Sequence, residues 1–195
     1  MTELFFYLVS DFGVFVIGIT TFLSCLALPI PSSFVMLAGG AFVASGDLAL
    51  AEVLAAAYGG ALVGDQTGYR AGRWGGARFQ TALDRQPARA AILDRARAMV
   101  ARWGGIGVFF STWLVAPLGP WVNVIAGATG MGPWRFTLWD AAGEAVWVAL
   151  YVGLGFAFAA NIELIAGLLG NAAGALSGLV VTLGLGALLW RARRS

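Results

Sequence analysis

Histidine and lysine are absent from this chain of 195 residues, and cysteine occurs once, as Cys25. The absence of histidine excludes histidine-based acid–base catalysis and histidine metal ligands. A lone thiol forms neither an internal disulfide nor a thiolate metal site, so we expect no metal and no cofactor. Charged residues make up only 11% of the chain, against about 25% in soluble domains. This shortage excludes a soluble enzyme and a disordered chain.

Apolar residues are correspondingly abundant, at 59% of the chain, and the mean hydropathy is +0.82. A membrane-spanning helix needs about 20 mainly apolar residues. Segments of this kind lie at roughly 4–20, 22–45, 48–68, 105–131, 134–157 and 165–190. The sequence therefore predicts an all-α integral membrane protein that forms a single membrane domain over residues 1–195. The first 20 residues have no basic region, so we expect no cleavable signal peptide.

The segments 22–45 and 105–131 are interrupted near their middles by prolines, namely Pro29, Pro31, Pro117 and Pro120. Proline breaks a helix because it lacks the amide hydrogen and clashes with the preceding turn. Broken backbone at membrane depth is tolerated only where it is buried in protein or lines a cavity. We therefore predict that each of these two segments forms a re-entrant helical hairpin.

The placement of arginine predicts the topology. Eight of the 12 arginines lie in the connector 70–102, and three more close the chain at 191–194. Arginine-rich loops usually face the cytoplasm. If 105–131 re-enters rather than crosses, two crossings separate the basic clusters and both clusters are cytoplasmic. The sequence thus predicts about four full spans with both termini in the cytoplasm. It also explains the basic pI of about 9.1 without nucleic-acid binding.

A short internal repeat accompanies the two predicted hairpins. Four residue types recur at a constant offset of 88 residues: Phe22, Pro29, Ala38 and Gly39 correspond to Phe110, Pro117, Ala126 and Gly127. Inverted repeats with broken helices build the substrate site of many transporters, although proline and glycine are also simply common in membrane helices. We divide the chain into a first repeat (1–69), an Arg-rich amphipathic connector (70–104), a second repeat (105–157), and a C-terminal span with a basic tail (158–195).

The connector contains the pattern of an amphipathic helix at 88–103, with apolar residues at near-helical spacing and arginines between them. Such a helix is expected to lie on the cytoplasmic membrane surface, where its arginines could hold anionic lipid headgroups. The alternative is that the connector only anchors the topology.

Ionisable residues inside the membrane are functional candidates because burying them is costly. Glu144 falls near the middle of segment 134–157, and Asp140 lies one turn earlier on the same face. Two adjacent carboxylates in a low dielectric favour the binding of a proton or a cation. Alternatively, Asp140 lies near the membrane interface and a neighbouring helix satisfies Glu144.

Asp65 is a third protonation or ion candidate, at the cytoplasmic end of its predicted span. One interpretation pairs Asp65 with Arg70 or Arg73 at the end of the helix. The other is a lipid headgroup site that uses Tyr69, Arg70 and Arg73. The hairpins supply neutral candidates for a substrate pathway, namely Ser24, Pro29, Pro31, Ser32, Ser33, Pro117, Pro120 and Asn123. No nucleophile–base pair is evident, so we expect no enzyme.

Three blocks of residues resemble a known family: Pro29-x-Pro31 with Ala38-Gly39-Gly40 and Gly46; Gly64-Asp65 with Tyr69 and Gly72-Arg73; and Pro117 with Ala126-Gly127, Met131, Phe136, Gly143 and Trp147. In this order they resemble the DedA family, also described as VTT-domain or SNARE-associated Golgi proteins. The resemblance implies inverted repeats with re-entrant hairpins. It also implies lipid transport, of undecaprenyl phosphate or phospholipids, across the bacterial inner membrane in support of envelope homeostasis.

The chain departs from the family inside the hairpins. Family members carry acidic residues in the first hairpin and arginines beside the proline of the second, where this chain has serines and Thr112, Trp113 and Gly119. We expect a lipid flippase or scramblase with membrane lipids as partners and a proton or another ion as coupling species. A second copy of the chain is a candidate partner for the Gly-rich final span. The alternative is a non-transporting scaffold that organises lipids or partner proteins.

Overall fold

The computed structural model describes residues 2–84, 87–115 and 118–159, with side chains described from residue 12 to 76 and from 92 onward within those ranges. These residues form seven helices and no strand, which confirms the predicted all-α class. The helices are α1 (Thr2–Ser24), α2 (Ser32–Ser45), α3 (Leu50–Asp84), α4 (Pro87–Trp103), α5 (Gly105–Trp113), α6 (Gly119–Ala128) and α7 (Pro133–Ala157).

Both predicted helix interruptions are present. The first lies between Ser24 and Ser32 and contains both prolines of segment 22–45. The second lies between Trp113 and Gly119, while Pro117 itself falls outside the described residues. Helices α2, α5 and α6 have 14, 9 and 10 residues. At about 1.5 Å per residue they are too short to cross a hydrocarbon core of about 30 Å by themselves.

Two predicted boundaries differ from the structure. Helix α1 runs without a break to Ser24, so the span 4–20 and the first part of the hairpin 22–45 belong to one helix. Residues 19–24 contain neither proline nor glycine, so nothing there stops the helix. Helix α3 likewise continues past residue 68 and bends only at Gly76, where φ is 46° and ψ is −135°.

The expected number of about four spans is not confirmed. Among the residues whose side chains the structure describes, α7 alone is long and apolar enough to cross a membrane by its length and composition, and the part of α1 so described, Phe12–Ser24, is apolar but shorter. Helix α3 has the length, but Glu52 and Asp65 lower its hydropathy. The predicted final span, 165–190, lies outside the described residues.

The helices pack in two matching sets of pairs. Helix α1 packs on α3 and α5 packs on α7, while α2 packs on α7 and α6 packs on α3. Glycine permits direct backbone contact in the second set. A Cβ atom at Gly127 would overlap the carbonyl oxygen of Tyr69, and one at Gly40 would overlap the carbonyl oxygen of Val152. These contacts fix α2 and α6 closely against the two longest described helices.

Helix α4 confirms the helix predicted at 88–103, but its apolar face has a different neighbour. Leu93 and Ala96 are fully buried and Val100 is nearly so, in a core that includes Val108 and Val122. The expectation of a helix lying with this face on the membrane surface is therefore wrong for these residues. Helices α5 and α6 are short and cover the apolar stripe of α4 themselves, since apolar surface is buried wherever a partner is available.

Candidate functional site

The two helix interruptions face one cavity of about 430 Å³. The first interruption and the start of α2 contribute Ser24, Pro29, Pro31, Ser32 and Ser33. The second contributes Thr112, Gly119, Pro120 and Trp121, and the rest of the wall includes Cys25, Asp65, Glu144 and Trp147. Volumes of about 300–1,000 Å³ are usual for ligand pockets. The broken backbone thus lines a cavity, as expected for irregular structure in a membrane protein.

Most of the predicted pathway residues meet at this cavity. Ser24, Pro29, Pro31, Ser32, Ser33 and Pro120 line it. The Ser32 hydroxyl donates a hydrogen bond of 2.9 Å to Ser24 Oγ, which joins the two sides of the first interruption. Asn123 lies outside the lining and is fully buried on α6.

Three carboxylates gather beside the cavity. Asp65 on α3 and Glu144 on α7 are each 2% exposed, and Asp140 on α7 is fully buried. Asp140 faces the protein interior, and its depth relative to the membrane interface stays a prediction. Asn123 Nδ2 donates a hydrogen bond to Asp65 Oδ1. This bond explains the inward position of Asn123, since a buried amide needs a polar partner.

The predicted ion pair between Asp65 and a following arginine does not form. Arg73 Nη1 instead donates to Tyr69 Oη at 3.1 Å and to the carbonyl oxygen of Met131 at 3.2 Å. Arg70 is exposed. Positions five and eight residues after Asp65 do not share its face closely, because helix neighbours are three and four residues apart. Asp65 points into the bundle, and the arginines do not.

The side chain of Tyr69 is packed in the protein interior, as expected for a residue with a structural role. Its ring is 2% exposed and stacks on Phe136 with ring centroids 4.4 Å apart. Its hydroxyl donates a hydrogen bond to the carbonyl oxygen of Met131. Tyr69 and Arg73 together therefore hold the start of α7 against α3. Arg70 and Arg73 are both exposed, and their contact with lipid stays a prediction.

Sequence reasoning did not single out several residues of the cavity wall, among them Cys25, Trp121 and Trp147. Trp147 could have been found, because it lies three residues after Glu144 and shares its helix face. Cys25 has no comparable signal, since its neighbours in the fold come from α3 and α7. The indole nitrogen of Trp147 is buried without a hydrogen-bond partner in the described part of the chain.

A second cavity, of about 390 Å³, lies where α4 ends and α7 begins. Its wall includes Arg102 and Arg135 together with Trp103, Gly104 and Thr129. No carboxylate lines this cavity. The Arg135 guanidinium approaches the backbone of Gly104, where a larger residue would be crowded. The two positive charges make this cavity suited to an anionic group.

The VTT domain model matches residues 30–157 of the chain. The chain belongs to the VTT-domain (DedA) family. Over 130 residues this VTT-domain protein is 37% identical to an uncharacterized membrane protein of Synechocystis sp., a match that covers 66% of the chain and 59% of that relative. The chain therefore spans about three fifths of the length of the relative it matches. No solved structure matches it. These findings confirm the family resemblance and the prediction of a membrane protein.

Proposed function

We propose that this VTT-domain protein is a flippase or scramblase that moves a lipid, such as undecaprenyl phosphate or a phospholipid, across the bacterial inner membrane. The observation that carries the proposal is the cavity of about 430 Å³ between the two helix interruptions. Its wall combines hydroxyl groups, proline-broken backbone and two buried carboxylates. A lipid headgroup needs polar contacts of this kind to cross an apolar barrier.

Asp65 and Glu144 supply the charge that the interrupted segments lack. They lie in the wall of the cavity but on α3 and α7. Ionised carboxylates in an apolar interior are costly, so their charge depends on what binds beside them. In the proposed mechanism, binding and release of a proton at Glu144, with Asp140 next to it, alters the charge of the cavity as the headgroup passes.

We also propose that the chain is an inverted repeat, and the helix contacts support this arrangement. Gly40 on α2 touches Val152 on α7, and Gly127 on α6 touches Tyr69 on α3 in the same way. Gly127 lies 87 residues after Gly40, and Val152 lies 83 residues after Tyr69. A second pair of contacts keeps these offsets, because Gly72 on α3 touches Val124 while Gly155 on α7 touches Leu37.

These contacts change the register of the sequence repeat by one residue. The offset of 88 aligns Gly39 with Gly127, whereas the equivalent contacts align Gly40 with Gly127. The two repeats differ in the length of their interruptions, so one offset cannot fit both the prolines and the packed glycines.

The scaffold alternative differs from transport in what it requires between the interrupted segments. A scaffold is compatible with a packed, dry interior there, whereas a transporter needs a polar space. The cavity, with hydroxyl and carboxyl groups in its wall, favours transport. We further propose the cytoplasmic placement of both termini, by the positive-inside rule, and anionic lipid as a partner of Arg102 and Arg135 in the second cavity. The proposed role is not enzymatic.

Reconstitution of the purified protein into liposomes tests the proposal. The liposomes carry labelled polyprenyl phosphate or labelled glycerophospholipid, with and without a pH gradient, and transbilayer movement is measured. Transport of polyprenyl phosphate that follows the gradient supports a coupled flippase, and gradient-independent movement of several lipids supports a scramblase. No movement of any lipid by correctly folded protein refutes both and leaves the scaffold.

Glu144→Gln is expected to slow lipid movement by at least about tenfold, the effect of about 1.4 kcal/mol on a barrier. The change removes one titratable group from the cavity wall while keeping the shape of the side chain. Glu52→Gln is the matched control, because Glu52 is exposed on α3 and does not line the cavity. Equal transport by both variants at every pH removes Glu144 from the mechanism.

A further inference from the structure

Three potential metal ligands meet in the wall of the larger cavity. Sγ of Cys25 and one carboxylate oxygen each of Asp65 and Glu144 lie within 4.8 Å of one another. All three residues are buried, and all three line the cavity. Cys25 follows α1, Asp65 lies on α3 and Glu144 lies on α7. The group is therefore assembled by the tertiary fold from three distant parts of the chain.

Asp140 provides an independent sign that this group holds a cation. Its side chain is fully buried, and neither carboxylate oxygen has a hydrogen-bond partner among the residues the structure describes. The Asp140 carboxyl lies beside that of Asp65, which in turn is close to Glu144 and Cys25. Ionised carboxylates have no proton to donate to one another. A buried carboxylate without a partner is strongly unfavourable unless a positive charge compensates it.

The described part of the chain supplies no such positive charge. Arg70 is exposed on α3. Arg73, the next arginine along the chain, donates hydrogen bonds to the Tyr69 hydroxyl and to the Met131 carbonyl oxygen rather than to Asp65. Arg135 lines the second cavity, at the start of α7. Asn123 donates a hydrogen bond to Asp65, and the side-chain amide of Gln66 lies beside Asp140, but both groups are neutral. The compensating charge must therefore enter from outside, either as protons or as a metal cation.

We propose that Cys25, Asp65 and Glu144 bind one divalent cation of the Zn²⁺ class, with Asp140 as the adjacent negative charge. A thiolate favours zinc-like cations over Mg²⁺ and Ca²⁺, which prefer oxygen ligands only. A lone cysteine did not predict this site, because the carboxylates join it only in the fold. Metal binding is independent of whether the protein transports lipid.

The spacing of the donors suits such an ion. Zn²⁺ binds sulfur at about 2.3 Å and carboxylate oxygen at about 2.0–2.2 Å, so tetrahedral donors stand about 3.4–3.6 Å apart. Donors within 4.8 Å reach this spacing by small side-chain rotations. The cavity leaves a fourth position open to water. On binding, the Cys25 thiol loses its proton to solvent and the sulfur lone pair forms the metal bond, so affinity falls at low pH.

Cobalt titration of the purified full chain in detergent tests the site, after removal of bound metal with a chelator. Co²⁺ is the spectroscopic probe and Zn²⁺ the competitor. We expect one Co²⁺ per chain, a thiolate-to-cobalt charge-transfer band, and loss of that band when Zn²⁺ is added. Because Cys25 is the only cysteine of the chain, the band reports on this residue.

Variants separate the site from adventitious binding. Cys25→Ser is expected to abolish the charge-transfer band. Asp65→Asn and Glu144→Gln are each expected to weaken Co²⁺ binding at least about tenfold, because changes to residues that ligate a metal or orient its ligands usually cost about 10–100-fold in affinity. Glu52→Gln, on the exposed face of α3, is expected to bind as the unchanged chain does. Circular dichroism confirms folding of each variant, and Cys25→Ser is a mild change that keeps the test valid if a carboxylate variant fails to fold.

The outcomes distinguish this site from the transport proposal. A folded chain with no saturable Co²⁺ binding, or with binding that lacks the thiolate band, overturns the metal site while the liposome assay still decides transport. Binding that Cys25→Ser leaves unchanged overturns it as well. A band that depends on Cys25 and both carboxylates establishes the site even if no lipid moves.

Discussion

Gly127→Ala tests the close packing of α6 on α3. A Cβ atom at this position would overlap the carbonyl oxygen of Tyr69 and approach the amide nitrogen of Arg73. Both are backbone atoms, so neither can rotate away and the helices must separate. Overpacking of this kind costs about 1–3 kcal/mol. The helix propensity of alanine offsets about 1 kcal/mol of that cost, so we expect a net loss of up to about 2 kcal/mol in the free energy of unfolding.

Gly59→Ala is the matched control. Gly59 lies within α3, and no atom lies within 4 Å of the position that a Cβ would take. The same substitution there retains the gain in helix propensity without the overlap, so stability should rise by up to about 1 kcal/mol. The two variants are thus expected to change stability in opposite directions, although the chemical change is identical.

Thermal unfolding in detergent, followed by circular dichroism, measures the difference. For a domain of this size, 1 kcal/mol corresponds to about 2–4 °C in Tm. Gly127→Ala should unfold below the unchanged chain, and Gly59→Ala at or above it. Gly40→Ala should resemble Gly127→Ala, because its Cβ would meet the backbone of Val152 in the same manner. Equal stability of Gly127→Ala and Gly59→Ala would refute the direct backbone contact between α6 and α3.

Two further predictions concern the ends of the bundle and the cavity. Tyr69→Phe should lower the free energy of unfolding by about 0.5–1.5 kcal/mol, because it removes the hydroxyl that donates a hydrogen bond to the Met131 carbonyl oxygen. Denaturant titration of this variant and of the control Tyr151→Phe measures the difference. Equal stability of the two variants argues against the hydrogen bond. Ser33→Cys in a Cys25→Ser background should react with a water-soluble maleimide if water fills the cavity that Ser33 lines. Failure to react, in folded protein, indicates a closed cavity.

The helices and their interruptions were predictable because their causes are local. Long apolar runs and the prolines at 29 and 31 determine where helices form and stop, and the structure confirms the break between Ser24 and Ser32. The boundary predicted after residue 20 was wrong because no local breaker lies there. The pairing of Gly40 with Val152 and of Gly127 with Tyr69 was not predictable from the offset of 88, since these glycine contacts join helices far apart in sequence.

The sequence by itself determined the membrane class, the family resemblance, the two broken segments and the candidacy of Asp65, Asp140 and Glu144, because composition, proline and charge scarcity are properties of the chain alone. Only the tertiary structure decided that Asp65 turns away from the arginines toward Asn123, that α4 buries Leu93 in protein, and that Cys25 lies beside two carboxylates. Each of these depends on which face of one helix meets another. Such contacts between distant residues leave no periodic signal in a single sequence.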